Sequence, residues 1–279
     1  MEKVWSAPAK INLCLHVLGK RSDGYHELCM LMQRVSLFDR IRIVLSSEPG
    51  VRVFCPSLPL AAGEENIAAK AAGKILELAG RSDGVEIHVD KEIPVAAGLG
   101  GGSSDAATTL MAMNELLDVG LSREELMALG LQLGADVPFF IFQSTAWAGG
   151  IGEKLEKAPT LRDVWYLLVN PGFSVSTAQV YGKLQLTSDR DVARLPRFSG
   201  TLEDVIGGLH NDLEQVTLRD YPVVANIRRR MLDLGAEGAL MSGSGPTVFG
   251  VFREREVARQ AGRAFEAEPG WKVFVVQPV

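Results

Sequence analysis

Four glycines fall within five positions in Gly98-Leu99-Gly100-Gly101-Gly102, and a helix-forming run follows them without a break. No other stretch constrains the fold of this chain as tightly. Upstream, Val85, Ile87 and Val89 alternate in the manner of a strand, and Ile93-Pro94-Val95-Ala96-Ala97 leads into the glycines. Downstream, Ser103-Ser104-Asp105-Ala106-Ala107 opens a helix expected to run to Leu117, with Ser103 or Ser104 as its cap. Removing side chains from a turn lets several backbone N–H groups converge on one anion, and the positive end of the next helix adds to them. The plain alternative is a tight turn with no ligand. It is not a Walker A loop, because no lysine follows the glycines, and the unbroken run from 100 to 102 departs from a dinucleotide fingerprint.

The rest of the chain supplies partners for this unit. Ile11, Leu13 and Leu15 share one face of an opening strand, with Asn12, Cys14 and His16 on the other. Arg21-Ser22-Asp23-Gly24 is a turn, and strands follow at 41–45 and 51–53 before the loop at 55–65. Helices are expected over 66–79, closed by Gly80, and over 123–133, capped by Ser122 and closed by Gly134. Gly134-Ala135-Asp136-Val137-Pro138 turns into a short buried segment, 139–142. From Trp165 the order is strand, helix, strand, strand, helix, strand, with a surface connection near 186–200 and helical pieces around 201–207 and 216–234. That order fits a ferredoxin-like second domain, an antiparallel sheet with helices on one face. The fold class is α+β in two domains, 1–155 and 156–279, consistent with a length of 279 residues.

Charge and cysteine content exclude several classes of function. Lys and Arg total 29 against 34 Asp and Glu, a net charge of −5, so the chain lacks the basic surface of a nucleic-acid binder. A small anion remains accessible to a helix terminus and one or two lysines. No window reaches eighteen apolar residues, and the first residues lack a signal-peptide pattern, so a cytoplasmic protein without membrane association is expected. Cys14, Cys29 and Cys55 are odd in number and lack metal-ligand spacing, which fits a reducing compartment. The histidines at 16, 26, 88 and 210 show no zinc spacing either, so a histidine metal site is not expected.

Individual residues carry two readings. Lys10, in Pro8-Ala9-Lys10-Ile11-Asn12, is either a solvated strand lysine or an ammonium set to hold a carboxylate. Asp136 either caps the segment at Val137-Pro138 or accepts a hydroxyl proton. Of Ser103 and Ser104, the one that does not cap can offer its hydroxyl to a phosphate oxygen or to Mg²⁺. Tyr25 and His26 are a half-buried edge or a platform that stacks on a planar ring and reads its edge. The Ser242-Gly243-Ser244-Gly245-Pro246 turn joins two strands and can also serve a ligand.

Together, the Pro94–Ala107 loop, the Gly243-Ser244-Gly245-Pro246-Thr247 turn and the Ala7–Leu13 stretch resemble the small-molecule kinases that include galactokinase, homoserine kinase and mevalonate kinase. Arg21-Ser22-Asp23-Gly24-Tyr25-His26 and Gly134-Ala135-Asp136-Val137-Pro138 narrow the resemblance to the branch acting on a cytidine-diphosphate-linked methylerythritol in non-mevalonate isoprenoid biosynthesis. The resemblance runs from Ala7 to near the C-terminus and is weakest between Leu184 and Leu202.

It implies a two-domain small-molecule kinase fold. The N-terminal domain would bind ATP and carry out catalysis, and the ferredoxin-like domain would help bind substrate. It implies transfer from ATP, with Mg²⁺, to the substrate 2-hydroxyl. Asp136 would be base or orienting acceptor, with Lys10 as its electrostatic partner. Asn12 would position the methylerythritol, Tyr25 would stack on cytosine, His26 would read its edge, and Thr177 and Tyr181 would complete the substrate site. Tyr181 stands where relatives can have phenylalanine. Asn66, Lys91, Pro94, Gly98, Leu99, Gly100, Gly101, Gly102, Ser103, Ser104, Asp105, Gly243, Ser244 and Gly245 would take the nucleotide, with Ser104 near its magnesium. Asp105 is asparagine in some relatives. A monomer or weak homodimer is expected. The alternatives are a kinase of the same group acting on mevalonate, homoserine or a sugar, and a nucleotide-binding regulator without catalysis.

Overall fold

The computed structural model describes residues 3–56, 66–185, 198 and 200–279. The expected loop at 55–65 and connection at 186–200 therefore fall almost wholly outside the described residues. The chain forms two compact units: Met1–Ala9, Leu37–Ile93 and Gly100–Gln143 make the first, and Lys10–Ser36, Pro94–Leu99 and Ser144–Val279 the second. Each is assembled from segments separated in sequence. Two long strands, β1 (Lys3–Lys20) and β2 (His26–Ser46), contribute to both.

In the first unit, Arg40–Ser46 of β2 pairs antiparallel with β4 (Gly84–Asp90), and β3 (Gly50–Phe54) runs parallel to β4. Val85, Ile87 and Val89 are buried as their alternation predicts, together with Ile41 and Ile43. The helices are α1 (Ile67–Leu78), α2 (Gly101–Leu116), α3 (Arg123–Leu131) and α4 (Val137–Phe142). Asn66 caps α1, its Oδ1 accepting from Ala68 N at 2.8 Å. Ser122 and Glu125 form a reciprocal capping box on α3. Ala68, Ala71 and Ala72 of α1 and Ala106 and Ala107 of α2 are fully buried where these helices pack, small side chains permitting close approach.

The start of α2 differs from expectation. Neither Ser103 nor Ser104 caps it. The cap is Gly100, in the left-handed region at φ 70°, and no side chain caps the helix. Only glycine takes that conformation without strain, so the helix begins at Gly101 and both serines lie inside its first turns.

In the second unit, Met30–Met32 of β2 pairs antiparallel with β5 (Ala146–Gly149), which pairs with β6 (Lys154–Lys157). Residues Cys14 and Leu15 of β1 pair in parallel with His210 and Asn211 of β8. Strand β1 is buried on both faces from Ala9 to Val17, so its polar face, Asn12 and His16, is covered rather than solvated. A separate sheet has the order β11 (Lys272–Val276), β7 (Trp165–Asn170), β10 (Val248–Phe252), β9 (Gly238–Met241), antiparallel throughout. Numbered by chain order within that sheet this is 4-1-3-2, the ferredoxin-like arrangement expected from the sequence.

The helices of the second unit are α5 (Thr177–Lys183), α6 (Leu202–Gly208), α7 (Glu214–Asp220), α8 (Pro222–Asp233) and α9 (Arg255–Glu266). The helical stretch expected over 216–234 is broken at Tyr221-Pro222. Proline forces its predecessor out of the helical region, and Tyr221 sits at φ −132°, ψ 79°. The core here includes Tyr166, Phe249, Phe252 and Phe265, and the Tyr166 hydroxyl donates to Gln33 Oε1 at 3.1 Å.

Candidate active site

The second unit gathers three sequence-distant pieces around Ser242. Strand β1 presents Lys10 and Asn12 on one face, two residues apart, and Lys10 Nζ donates to Asn12 Oδ1 at 2.6 Å. Both are buried, at 5% and 0% exposure, which removes the solvated reading of Lys10. Asn12 N donates to Ser242 Oγ at 3.3 Å, and the same hydroxyl donates to the Gly98 carbonyl at 2.9 Å. Lys10 N donates to the Leu99 carbonyl at 2.9 Å, a second tie between β1 and the glycine loop. A Cβ on Gly98 would stand 2.0 Å from the Ser242 carbonyl oxygen, so this approach requires glycine.

The turn at 243–245 joins β9 to β10, as its structural reading held, with Gly243 at φ 56° and Gly245 at φ 85°. Asn211 braces it, Nδ2 donating to the carbonyls of Met241 and Gly243 at 2.8 Å each. Ser244 Oγ lies 2.8 Å from Thr177 Oγ1 at the start of α5. A residue assigned to nucleotide and one assigned to substrate are thus in direct contact. His26 and Tyr181 face each other with ring centroids 5.0 Å apart, and Tyr25 stands 59% exposed at the neighbouring position. Burial, with Lys20 adding to it, lowers the His26 pKa below its ordinary 6.5.

The first unit holds the remaining assigned residues except Pro94, which lies in the second. The first backbone bond of α2 is Ser104 N to Gly100 O, so the leading N–H groups at 101–103 project from its N-terminal end, where an anion is favoured. Lys91 Nζ donates to Asp105 Oδ2 at 2.7 Å and also ion-pairs with Asp39, all three nearly or fully buried. Burial pulls the Lys91 pKa down, but Asp105 and Asp39 more than offset it and the net shift is upward. Burial pushes the Asp105 pKa up to about 7, with Asp39 reinforcing and Lys91 opposing the rise. Asp136 occupies the N-cap position of α4 without a side-chain capping bond, so the capping reading of this residue is set aside.

Ser104 Oγ and Asp105 Oδ1 are buried with no hydrogen-bond partner among the described residues. Both are hard oxygen donors, the type magnesium takes, so these residues fit that ion.

Sequence reading missed Ser242, Asn211 and Asp39. Asp39 left a signal: it shares a strand face with Leu37, Ile41 and Ile43, all buried, where a charge needs a partner. Sequence spacing also hid a cluster. The β1–β8 pairing brings His16, His210 and Asp212 together, with ligand atoms within 4.8 Å of one another. The two rings stack at an interplanar angle of 11°, and His210 Nε2 lies 2.7 Å from Asp212 Oδ1. Nearly parallel imidazoles direct their in-plane lone pairs alongside each other rather than toward one ion, so the histidine cluster as it stands is not tetrahedral.

The ferredoxin-like sheet, the glycine loop opening α2 and the 243–245 turn define a GHMP kinase. The models for the GHMP kinases N terminal domain and the GHMP kinases C terminal match residues 66–144 and 198–270. A homoserine kinase from Cytophaga hutchinsonii has the same fold, with a TM-score of 0.78 at 21% identity over 99% of this chain and 95% of that one. The 4-diphosphocytidyl-2-C-methyl-D-erythritol kinase of Syntrophotalea carbinolica is 57% identical over 98% of each chain. A crystal structure of 4-(cytidine 5'-diphospho)-2C-methyl-D-erythritol kinase superposes with a TM-score of 0.81, at 38% identity over 99% of each chain. This chain belongs to the 4-diphosphocytidyl-2-C-methyl-D-erythritol kinase family.

Among the described residues, no helix is long and apolar enough to cross a membrane.

Proposed function

We propose that this protein transfers the γ-phosphoryl group of ATP to the 2-hydroxyl of 4-diphosphocytidyl-2-C-methyl-D-erythritol, a step of non-mevalonate isoprenoid precursor biosynthesis. The observation that carries this reading is the facing pair of His26 and Tyr181, next in sequence to exposed Tyr25, whose rings suit a nucleobase. Mevalonate, homoserine and sugars have no base and need no such platform. A neutral imidazole at His26 offers one donor and one acceptor, which complements the N4–H donor and ring acceptors of cytosine.

In the proposed step the substrate oxygen attacks the γ-phosphorus, the bond to the ADP oxygen breaks, and the hydroxyl proton passes to Asp136. Lys10 counters the negative charge of the transferring group and of Asp136. Asn12 orients Lys10 and the methylerythritol, and Thr177 contacts the substrate. Phosphoryl transfer asks mainly for positioning and charge relief, which backbone N–H groups and buried cations supply. The nucleotide falls to Asn66, Lys91, Pro94, Asp105, the 98–104 loop and the 243–245 turn. Magnesium, held by Ser104, supplies charge neutralisation on the phosphates when bound. The protein acts as a monomer or weak homodimer in the cytoplasm.

The deciding experiment follows phosphorus resonances in a mixture of protein, ATP, Mg²⁺ and the cytidine-linked substrate. A new phosphomonoester coupled to the 2-position, with matching ADP, is the expected result. Asp136→Ala should abolish that signal while ATP affinity measured by calorimetry stays near wild type. Turnover that persists in the variant removes Asp136 from the mechanism, and ATP binding without any phosphomonoester favours a non-catalytic nucleotide binder.

A further inference from the structure

We propose that Asp39 is a positioning residue for nucleotide binding, acting through Lys91. Its two oxygens do different work. Oδ1 accepts from the backbone N–H groups of Glu92 at 2.7 Å and Ile93 at 2.8 Å, fixing the segment that leaves β4. Oδ2 accepts from Lys91 Nζ. A lysine carries four rotatable bonds and strong hydration, so a buried ammonium adopts one place only where its partners define it. Here those partners are Asp39 on β2 and Asp105 on α2, with side-chain exposures of 0% and 8%.

The place so defined is the start of α2. A Cβ on Gly101, the first residue of that helix, would stand 3.2 Å from Lys91 Nζ and 3.0 Å from the Ile93 side chain. The helix terminus is thus packed against the ammonium that Asp39 holds and against the side chain of Ile93, the residue whose N–H Asp39 holds. An ammonium fixed beside the leading N–H groups of a helix is a charge-assisted anion site. The inference rests on the reading that nucleotide phosphates occupy this end of α2. Two carboxylates against one ammonium also leave a surplus negative charge, which by itself disfavours an anion. Positioning and charge therefore predict opposite signs when Asp39 is neutralised.

Asp39→Asn separates them. The amide oxygen can keep both backbone bonds of Oδ1, while an NH₂ group replaces Oδ2 and confronts the ammonium donor to donor. The remaining Lys91–Asp105 pair is charge-balanced, so folding should hold, with Glu92 and Ile93 amides still protected from hydrogen exchange. The expected result is ATP affinity, by calorimetry at fixed salt, weakened roughly tenfold to a hundredfold, the range for a hydrogen bond to a charged group. The ATP KM should rise with it, while the KM for the alcohol acceptor stays within about twofold, a margin well below one such bond. Affinity that is unchanged or tighter overturns the proposal. If this variant fails to fold, Lys91→Gln gives the same reading, and wild-type affinity there overturns it as well. Wild-type protein that binds ATP without phosphorylating the cytidine-linked alcohol unseats the acceptor assignment and leaves the comparison intact, whereas wild-type protein that binds no ATP overturns both.

Discussion

Lys10 and Asn12 project from the same face of β1, and the ammonium of the first donates to the amide oxygen of the second at 2.6 Å. With both side chains buried, the bond is shielded from water and fixes where the Lys10 charge stands. Asn12→Ala removes that acceptor and leaves a buried ammonium with one bond fewer. A hydrogen bond to a charged group contributes about 1.5–3 kcal/mol, so kcat/KM for the acceptor should fall on the order of tenfold to a hundredfold. ATP affinity should change by less than about twofold, since the lost bond lies on the Lys10 side of the assignments. Steady-state kinetics with each substrate varied in turn check this, and a selective loss of ATP affinity contradicts it.

Gly98 and Gly102 make a matched test of the glycine run. Gly98 sits at φ 77° with the Ser242 carbonyl 2.0 Å from where a Cβ would be, whereas Gly102 is helical and would meet only Ile67 Cγ2 at 3.9 Å. Gly98→Ala should destabilise the fold by about 2 kcal/mol or more, from left-handed backbone strain plus a clash with rigid backbone. Gly102→Ala should be neutral or stabilise by up to about 1 kcal/mol, the ordinary helix-interior preference for alanine. Urea unfolding of both variants decides the matter. Equal stability would mean that Gly98 is not needed for the approach to Ser242.

These two cases mark what a sequence alone discloses here. Local rules located Ser122 as a cap, the Gly80 helix end and the succession of strands and helices in the ferredoxin-like domain, because each depends on residues close in sequence. The same rules misplaced the start of α2, where two good capping serines lost to Gly100 in a left-handed conformation that no side-chain preference reveals. Ser242 and Asn211 were out of reach for a different reason. Their bonds run to Gly98 and to the carbonyls of Met241 and Gly243, over separations no short pattern spans. The meeting of His16 with His210 likewise depends on which strand lies beside β1. Asp39 was half legible, since its place on an apolar strand face demands a partner without naming Lys91.

Cys14 tests the burial of β1 on both faces. Burial drives its pKa to about 12, with a Leu31 backbone hydrogen bond opposing and Cys29 adding a little. The thiolate is the reactive form, and with the pKa so far above neutrality only a minute fraction of Cys14 is ionised at pH 7, so native Cys14 should be modified far more slowly than an ordinary thiol. Iodoacetamide followed by peptide mass analysis should label half-buried Cys29 and Cys55 before Cys14, which should react only when urea opens the fold. Labelling of native Cys14 at the rate of Cys55 contradicts a closed β1.

The aromatic group at 25, 26 and 181 separates the cytidine-linked acceptor from its competitors. Base–aromatic stacking contributes about 1–3 kcal/mol per base, so Tyr25→Ala should raise the acceptor KM on the order of tenfold, with the ATP KM little changed. Tyr181→Phe keeps the ring that faces His26 and should cost less than about threefold, whereas Tyr181→Ala should match Tyr25→Ala. The pH profile follows from His26. Its pKa lies below 6.5, so the neutral imidazole predominates at pH 7 and persists as the pH falls through 6.5. The acceptor KM should therefore hold flat from pH 8 to 6.5 and rise only below that, where a second donor replaces the ring acceptor. His26→Gln retains one donor and one acceptor and should remove the low-pH rise. An unchanged acceptor KM in Tyr25→Ala would remove the base from the site and favour an acceptor without one.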